Sequence, residues 1–200
     1  MKRIIAIILA FTMLFALASC GPKGDGTKTV DLTEFKNAVA ATAPTAVKVE
    51  VTQKNDFLPD VPLTATYNIE YASDGSATVN FEYTLYEEID ENNPPEHITT
   101  TYTGAASIAP DGTVTGDKVG GTVTSVASVN FNLDESKMTS TASLGILTAR
   151  IPAANTAAVL GTAIDADVTL TLSTANGVVV GATLSYTLGG SEYEIACTYN

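Results

Sequence analysis

The stretch Val168-Thr-Leu-Thr-Leu-Ser-Thr-Ala-Asn176-Gly177-Val-Val-Val-Gly-Ala-Thr-Leu-Ser-Tyr-Thr-Leu188 decides the fold class of this 200-residue chain. Val168, Leu170 and Leu172 alternate with threonine and serine, the two-residue period of a strand with one buried face. Asn176-Gly177 is the dipeptide that best tolerates two successive positive-φ residues, and so predicts a tight hairpin turn. Val178, Val180, Ala182, Leu184, Tyr186 and Leu188 continue the alternation on the return. Gly189-Gly190 then turns the chain into Tyr193, Ile195, Cys197 and Tyr199.

The same period governs most of the chain before it. Val47, Val49 and Val51 share one strand face, and Leu63, Ala65, Tyr67, Ile69 and Tyr71 share the next. Asp74-Gly75 supplies a turn, after which Ala77, Val79, Phe81, Tyr83 and Leu85 complete a hairpin. A Thr-rich strand carries Ile98, Thr100 and Tyr102, and Pro110-Asp111-Gly112 turns the chain again. Val123, Ala127, Val129, Phe131 and Leu133 read as another alternating strand. The segment from Ser136 to Ile151 fits neither period cleanly and is read as a strand over about 143–151.

Two helices interrupt this pattern. Asp31 and Glu34 have capping-box spacing, and Leu32, Phe35 and Val39 share a helical face, so a short helix is expected before Pro44. Pro152 opens a second, with Ala157, Ala158, Val159 and Leu160 as its apolar face and Gly161 as its stop. The expected fold is therefore mainly β: a strongly curved, half-barrel-like antiparallel sheet of some ten strands, with one N-terminal helix and one short internal helix. A β-sandwich is the competing architecture.

The N-terminus carries an address. Lys2 and Arg3 precede an apolar run from Ile4 to Ala18, about 15 residues long, shorter than the roughly 20 that a spanning helix needs. Leu17-Ala18-Ser19-Cys20 closes it and resembles the lipobox of bacterial lipoproteins. The resemblance implies a signal peptide over 1–19, cleavage before Cys20, and diacylation of that cysteine. Two acyl chains hold a protein to a bilayer at about 0.8 kcal/mol for every buried CH₂. The implied location is the cell envelope, with the domain on the extracytoplasmic side of a bacterial membrane. Residues 20–30 read as lipidated cysteine and flexible tether, and 31–200 as one β ectodomain. The order of elements, a helix and then a run of antiparallel strands, also resembles the half-barrel lipoprotein carriers of the LolA and LppX type, which implies an apolar cavity for lipid.

Composition narrows the partners. Beyond the leader, 8 basic residues face 22 acidic ones, a net charge of −14. That balance argues against nucleic acid and against anionic lipid surfaces. No lysine or arginine lies between Lys54 and Lys118, where twelve acidic residues fall. With Cys20 committed to lipid, Cys197 has no partner for a disulfide and reads as a buried inert thiol.

Motifs for catalysis are not found. His97, the single histidine, neighbours Glu96 in an acidic loop and lacks a nucleophile or metal-ligand spacing. The run Glu87-Glu88-Ile89-Asp90-Glu91-Asn92-Asn93 has oxygen ligands but not the spacing of a calcium loop, so it reads as solvated charge. No cofactor, metal or enzymatic activity is expected. The remaining candidate is an apolar-ligand face lined by Tyr67, Tyr71, Phe81, Tyr83, Tyr102, Leu184, Tyr186 and Tyr193, with Tyr199 beside them. The expectation is a non-catalytic binding or carrier domain for an apolar or lipid ligand. The alternative is a surface lipoprotein that binds an envelope protein through a sheet edge or its acidic face.

Overall fold

The computed structural model describes residues 30–87 and 98–200. The lipobox, Cys20, the tether up to residue 29, and Glu88 to His97 lie outside the described residues. Among the described residues no helix is long and apolar enough to cross a membrane.

Ten strands form one curved antiparallel sheet that does not close into a barrel. They are β1 (Ala46–Asn55), β2 (Leu58–Tyr71), β3 (Ala77–Tyr86), β4 (Thr99–Ile108), β5 (Val114–Gly116), β6 (Thr139–Ser143), β7 (Ile146–Ile151), β8 (Val168–Ala175), β9 (Val178–Leu188) and β10 (Ser191–Tyr199). The spatial order is β5-β4-β3-β2-β1-β10-β9-β8-β7-β6. The chain thus makes two meanders, β1–β5 and β6–β10, joined where its first and last strands pair. That seam runs from Val47 opposite Tyr199 to Asn55 opposite Ser191. All strands belong to a single sheet, so the sandwich alternative does not describe the molecule.

The alternation seen in sequence sorts side chains onto a core face and a polar face. Val47, Val49, Ile69, Val79, Leu170, Leu172, Leu184, Ile195 and Cys197 are all buried on the core face. Each leucine or valine so placed contributes about 1.5 to 3 kcal/mol relative to exposure. Helix α1 (Thr33–Ala41) packs on β9 and inserts Phe35 and Ala38 into the core beside Leu32. Asp31 lies one residue further out than a capping box requires; its carboxylate accepts from the Thr33 N–H at 2.9 Å. At the other end the Thr42 hydroxyl donates to the Ala38 carbonyl and accepts from the Val179 N–H, tying the helix to the sheet.

Three local expectations change. The strand expected over 123–133 is helix α2 (Gly121–Ala127) followed by an irregular segment. Val123, Val126 and Ala127 are buried at helical spacing, and Val129, Phe131 and Leu133 are buried beyond the helix without pairing in the sheet. Among the described residues the internal helices therefore number two; the other, α3 (Thr156–Leu160), follows the 3-10 turn Ala153–Asn155 and stops at Gly161 with φ +73°, as expected from its sequence. The strand expected over 143–151 is the β6–β7 hairpin, whose Leu144-Gly145 turn has φ of +50° and +75°. Finally, a register shift between Ser173 and Thr174 turns Val179, and not Val178 or Val180, into the core. A bulge on one strand reverses the phase of every side chain beyond it.

Candidate aromatic docking face

The helices cover only part of the core face. α2 lies over β1 and β10, where the Tyr199 hydroxyl donates to the Val126 carbonyl at 2.8 Å. Toward the end of the sheet that carries the β1–β2 and β9–β10 turns, the core face opens to solvent. Tyr102 there is 45% exposed and Phe57, in the β1–β2 turn, 83%. Leu85 and Leu188 are also exposed at this end.

The register builds an aromatic ladder on the open part. Tyr102 lies opposite Tyr83, and Tyr83 opposite Ala65; one rung inward, Gly104 lies opposite Phe81 and Phe81 opposite Tyr67. Ring centroids are 5.2 Å apart for Tyr67–Phe81, 6.1 Å for Phe81–Tyr83 and 5.6 Å for Tyr83–Tyr102, the last pair stacked at 23°. Such contacts contribute about 0.5 to 1.5 kcal/mol each beyond their burial. Gly104 makes the ladder possible. A side chain there would overlap the Phe81 ring, with Cβ 2.6 Å from Cε2.

Tyr186 and Tyr193 form a second group across the seam, stacked at 11° with centroids 5.0 Å apart. Gln53 lies opposite Leu63 and Tyr193 in the row between the groups, and its Nε2 donates to the Ser191 hydroxyl at 3.3 Å. Burial raises the phenol pKa of Tyr67, with a smaller contribution from Tyr83, and that of Tyr186, with a smaller contribution from Tyr193. Tyr67 and Tyr186 therefore stay neutral at physiological pH.

Two of the expected lining residues do not belong to this face. Leu184 is fully buried in the packed core. Tyr71 lies at the opposite end of the sheet, near Cys197 and Tyr199, and burial raises its pKa as well. Tyr199 is likewise a core residue. Burial pushes the Cys197 thiol up to about 12, which keeps it protonated and unreactive.

The space between helices and sheet is filled by Leu32, Phe35, Val126, Val49 and Ile69, all at most 3% exposed. Two depressions among the described residues lie instead on the polar face. One of about 730 Å³ is lined by Lys54, Arg150, Asp167, Glu192 and Glu194 with Thr and Ser between them, and Tyr186 and Tyr193 also border it; the Arg150 guanidinium pairs with Asp167 at 2.9 Å. Another of about 580 Å³ lies beside β4, lined by Asn68, Asn80, Glu82 and Thr103 among others. No group of three or more His, Cys, Asp or Glu side chains among the described residues could hold a metal.

Phe57 escaped the sequence reading. Phe57 sits in a turn, outside any alternating run, so periodicity could not flag it. The pairing of Phe81 with Gly104 had a signal, a lone glycine in a strand, which marks close approach by another group. No protein-family model matches the chain, and no curated protein matches it.

Proposed function

We propose that this chain is a lipid-anchored extracytoplasmic protein of the bacterial envelope, and that its β domain is a non-catalytic binding module using the open aromatic end of the core face. The observation that carries this reading is the Tyr67–Phe81–Tyr83–Tyr102 ladder, which continues the core face beyond its helical cover. Tyrosines ordered by stacking, apolar in body and polar at the tip, are the side chains that dominate protein interfaces. Anchoring rests on the lipobox, through Cys20.

A carrier for a lipid or another apolar ligand is the second reading. The phenol-edged apolar row favours it, since such a surface also suits an acyl chain. The filled space beneath the helices weighs toward the first, because a carrier of this kind needs a cavity.

A photoreactive phenylalanine analogue at position 102, in cells that make the protein, tests the site against the same analogue at Thr148 on the polar face. A defined protein adduct from position 102 alone is the expected result. An adduct with lipid only would establish the carrier reading, and equal or absent adducts at both positions would overturn the site. Anchoring has its own test: Cys20→Ala is expected to abolish lipid labelling and mature processing.

A further inference from the structure

We infer that the outer edge of β4, from Thr99 to Gly104, is a docking site for an extended cationic segment of a partner protein, which joins the sheet as an added strand. The inference rests on the reading of the domain as a binding module and names the chemistry of its partner.

β4 is ten residues long, but β5 pairs only with Ala106, Ser107 and Ile108. Just beyond β5, Asp117 ends the pairing. Its carboxylate accepts from the Ala105 N–H at 2.9 Å, and its own N–H donates to the Ala105 carbonyl at 3.0 Å. Because N–H and C=O groups alternate sides along a strand, those of Thr99, Thr101 and Thr103 point the same way as those of Ala105. Among the described residues these three have no strand partner on that side.

Such an edge is normally guarded by charge, proline or a bulge. Here the strand from Thr99 to Ile108 has neither proline nor charge, and threonine and tyrosine favour extended backbone. Its core-face flank is Tyr102, exposed and stacked on Tyr83, where an apolar side chain of an added strand would rest. On the polar face Thr103 lies opposite Glu82. Strands are spaced about 4.8 Å apart, so an extended Lys or Arg on an added strand reaches over Thr103 to that carboxylate.

Charge selects the occupant. From residue 55 to 117 the sequence contains no lysine or arginine, while Glu82, Glu87 and Asp117 flank the edge. A second copy would set this acidic half against itself. A segment alternating basic with apolar residues matches both flanks.

The test uses the full chain in nanodiscs of neutral lipid and a short fluorescent peptide alternating Lys with Val, beside a twin with Ser for each Lys. Binding is read by anisotropy, and amide exchange over 99–104 locates it. The Lys peptide is expected to bind, to slow exchange at Thr101 and Thr103, and to weaken as salt screens the carboxylates. Thr101→Pro removes an outward N–H at an edge position where proline is tolerated, and Thr101→Lys leaves the backbone intact while repelling the peptide. Each is expected to lower affinity about tenfold or more. Undiminished binding to both variants would overturn the edge as the site, and equal binding of the Ser twin would overturn the cationic selection. No binding of the Lys peptide would overturn the inference, and the binding-module reading fails with it only if the adduct from position 102 is absent too.

Discussion

The two meanders are written in the same alternating pattern, yet they meet different fates. In β7–β10 most of the apolar phase lies beneath helices and linking segments, and Leu147, Ile151, Leu170, Leu172 and Leu184 are fully buried, with only Tyr186, Leu188 and Tyr193 left partly open at one end. In β2–β4 the phase is equally regular, but its outer rungs carry aromatic rings that stay half covered. Alternation fixes which side chains share a face; it does not fix whether anything covers that face. The partly covered strands β2–β4 also lie in the stretch without basic residues, 55–117. Apolar exposure and uniform charge coincide there, which is the combination that the proposed docking of a partner draws on.

The largest expected contrast is in stability. Leu184→Ala should cost about 2 to 5 kcal/mol, whereas Tyr102→Ala should cost under about 1 kcal/mol. Denaturant unfolding of both variants checks this, and similar losses would erase the distinction between the halves. Alkaline titration tests the covered half directly. The Cys197 thiol is raised from 9.0 to about 12 by burial, and Tyr199 is raised in the same direction for the same reason. A group whose folded pKa is raised stabilises fully below its unfolded pKa, so stability should hold up to about pH 9 and fall from there toward pH 12. Cys197→Val should flatten the first part of that fall, measured as melting temperature against pH.

In the open half, Gly104→Ala forces its Cβ into the Phe81 ring and should cost about 1 to 3 kcal/mol. Its second readout is near-ultraviolet circular dichroism, which should report a disordered tyrosine ladder. The smallest effect lies at a hairpin tip. Leu144 is 97% exposed and holds φ +50°, where Asn176 in the β8–β9 turn holds +54°. Replacing Leu144 with Asn should raise stability by up to about 1 kcal/mol, as a residue suited to the left-handed region takes its place. An unchanged melting temperature would show that the turn carries no strain.

Much of the fold was legible because period-two alternation and Asn-Gly or Gly-Gly turns are local signals. The hairpins flanking Asn176-Gly177 and Gly189-Gly190 follow from them directly. Leu144-Gly145 hid a turn because a branched apolar residue occupies the position that asparagine would announce. The segment 123–133 misled because a helix of seven residues followed by an extended stretch places its valines where a strand would. At the site, Tyr83 and Tyr102 were legible as members of one face but not as a stacked pair, and nothing local distinguishes them from Leu184, which is buried by elements far away in sequence.

The seam between β1 and β10 has a consequence for how the protein comes into being. The first meander is complete after residue 116, and the second cannot close until the last strand emerges. Pairing residues 47 and 199 closes a loop spanning nearly the whole domain, and contacts of such separation form slowly. Until then β1, in the centre of the sheet, waits with one side unpaired. The middle of the sheet therefore stays open until the C-terminal strand is available and closes last, an order that would suit the export proposed above.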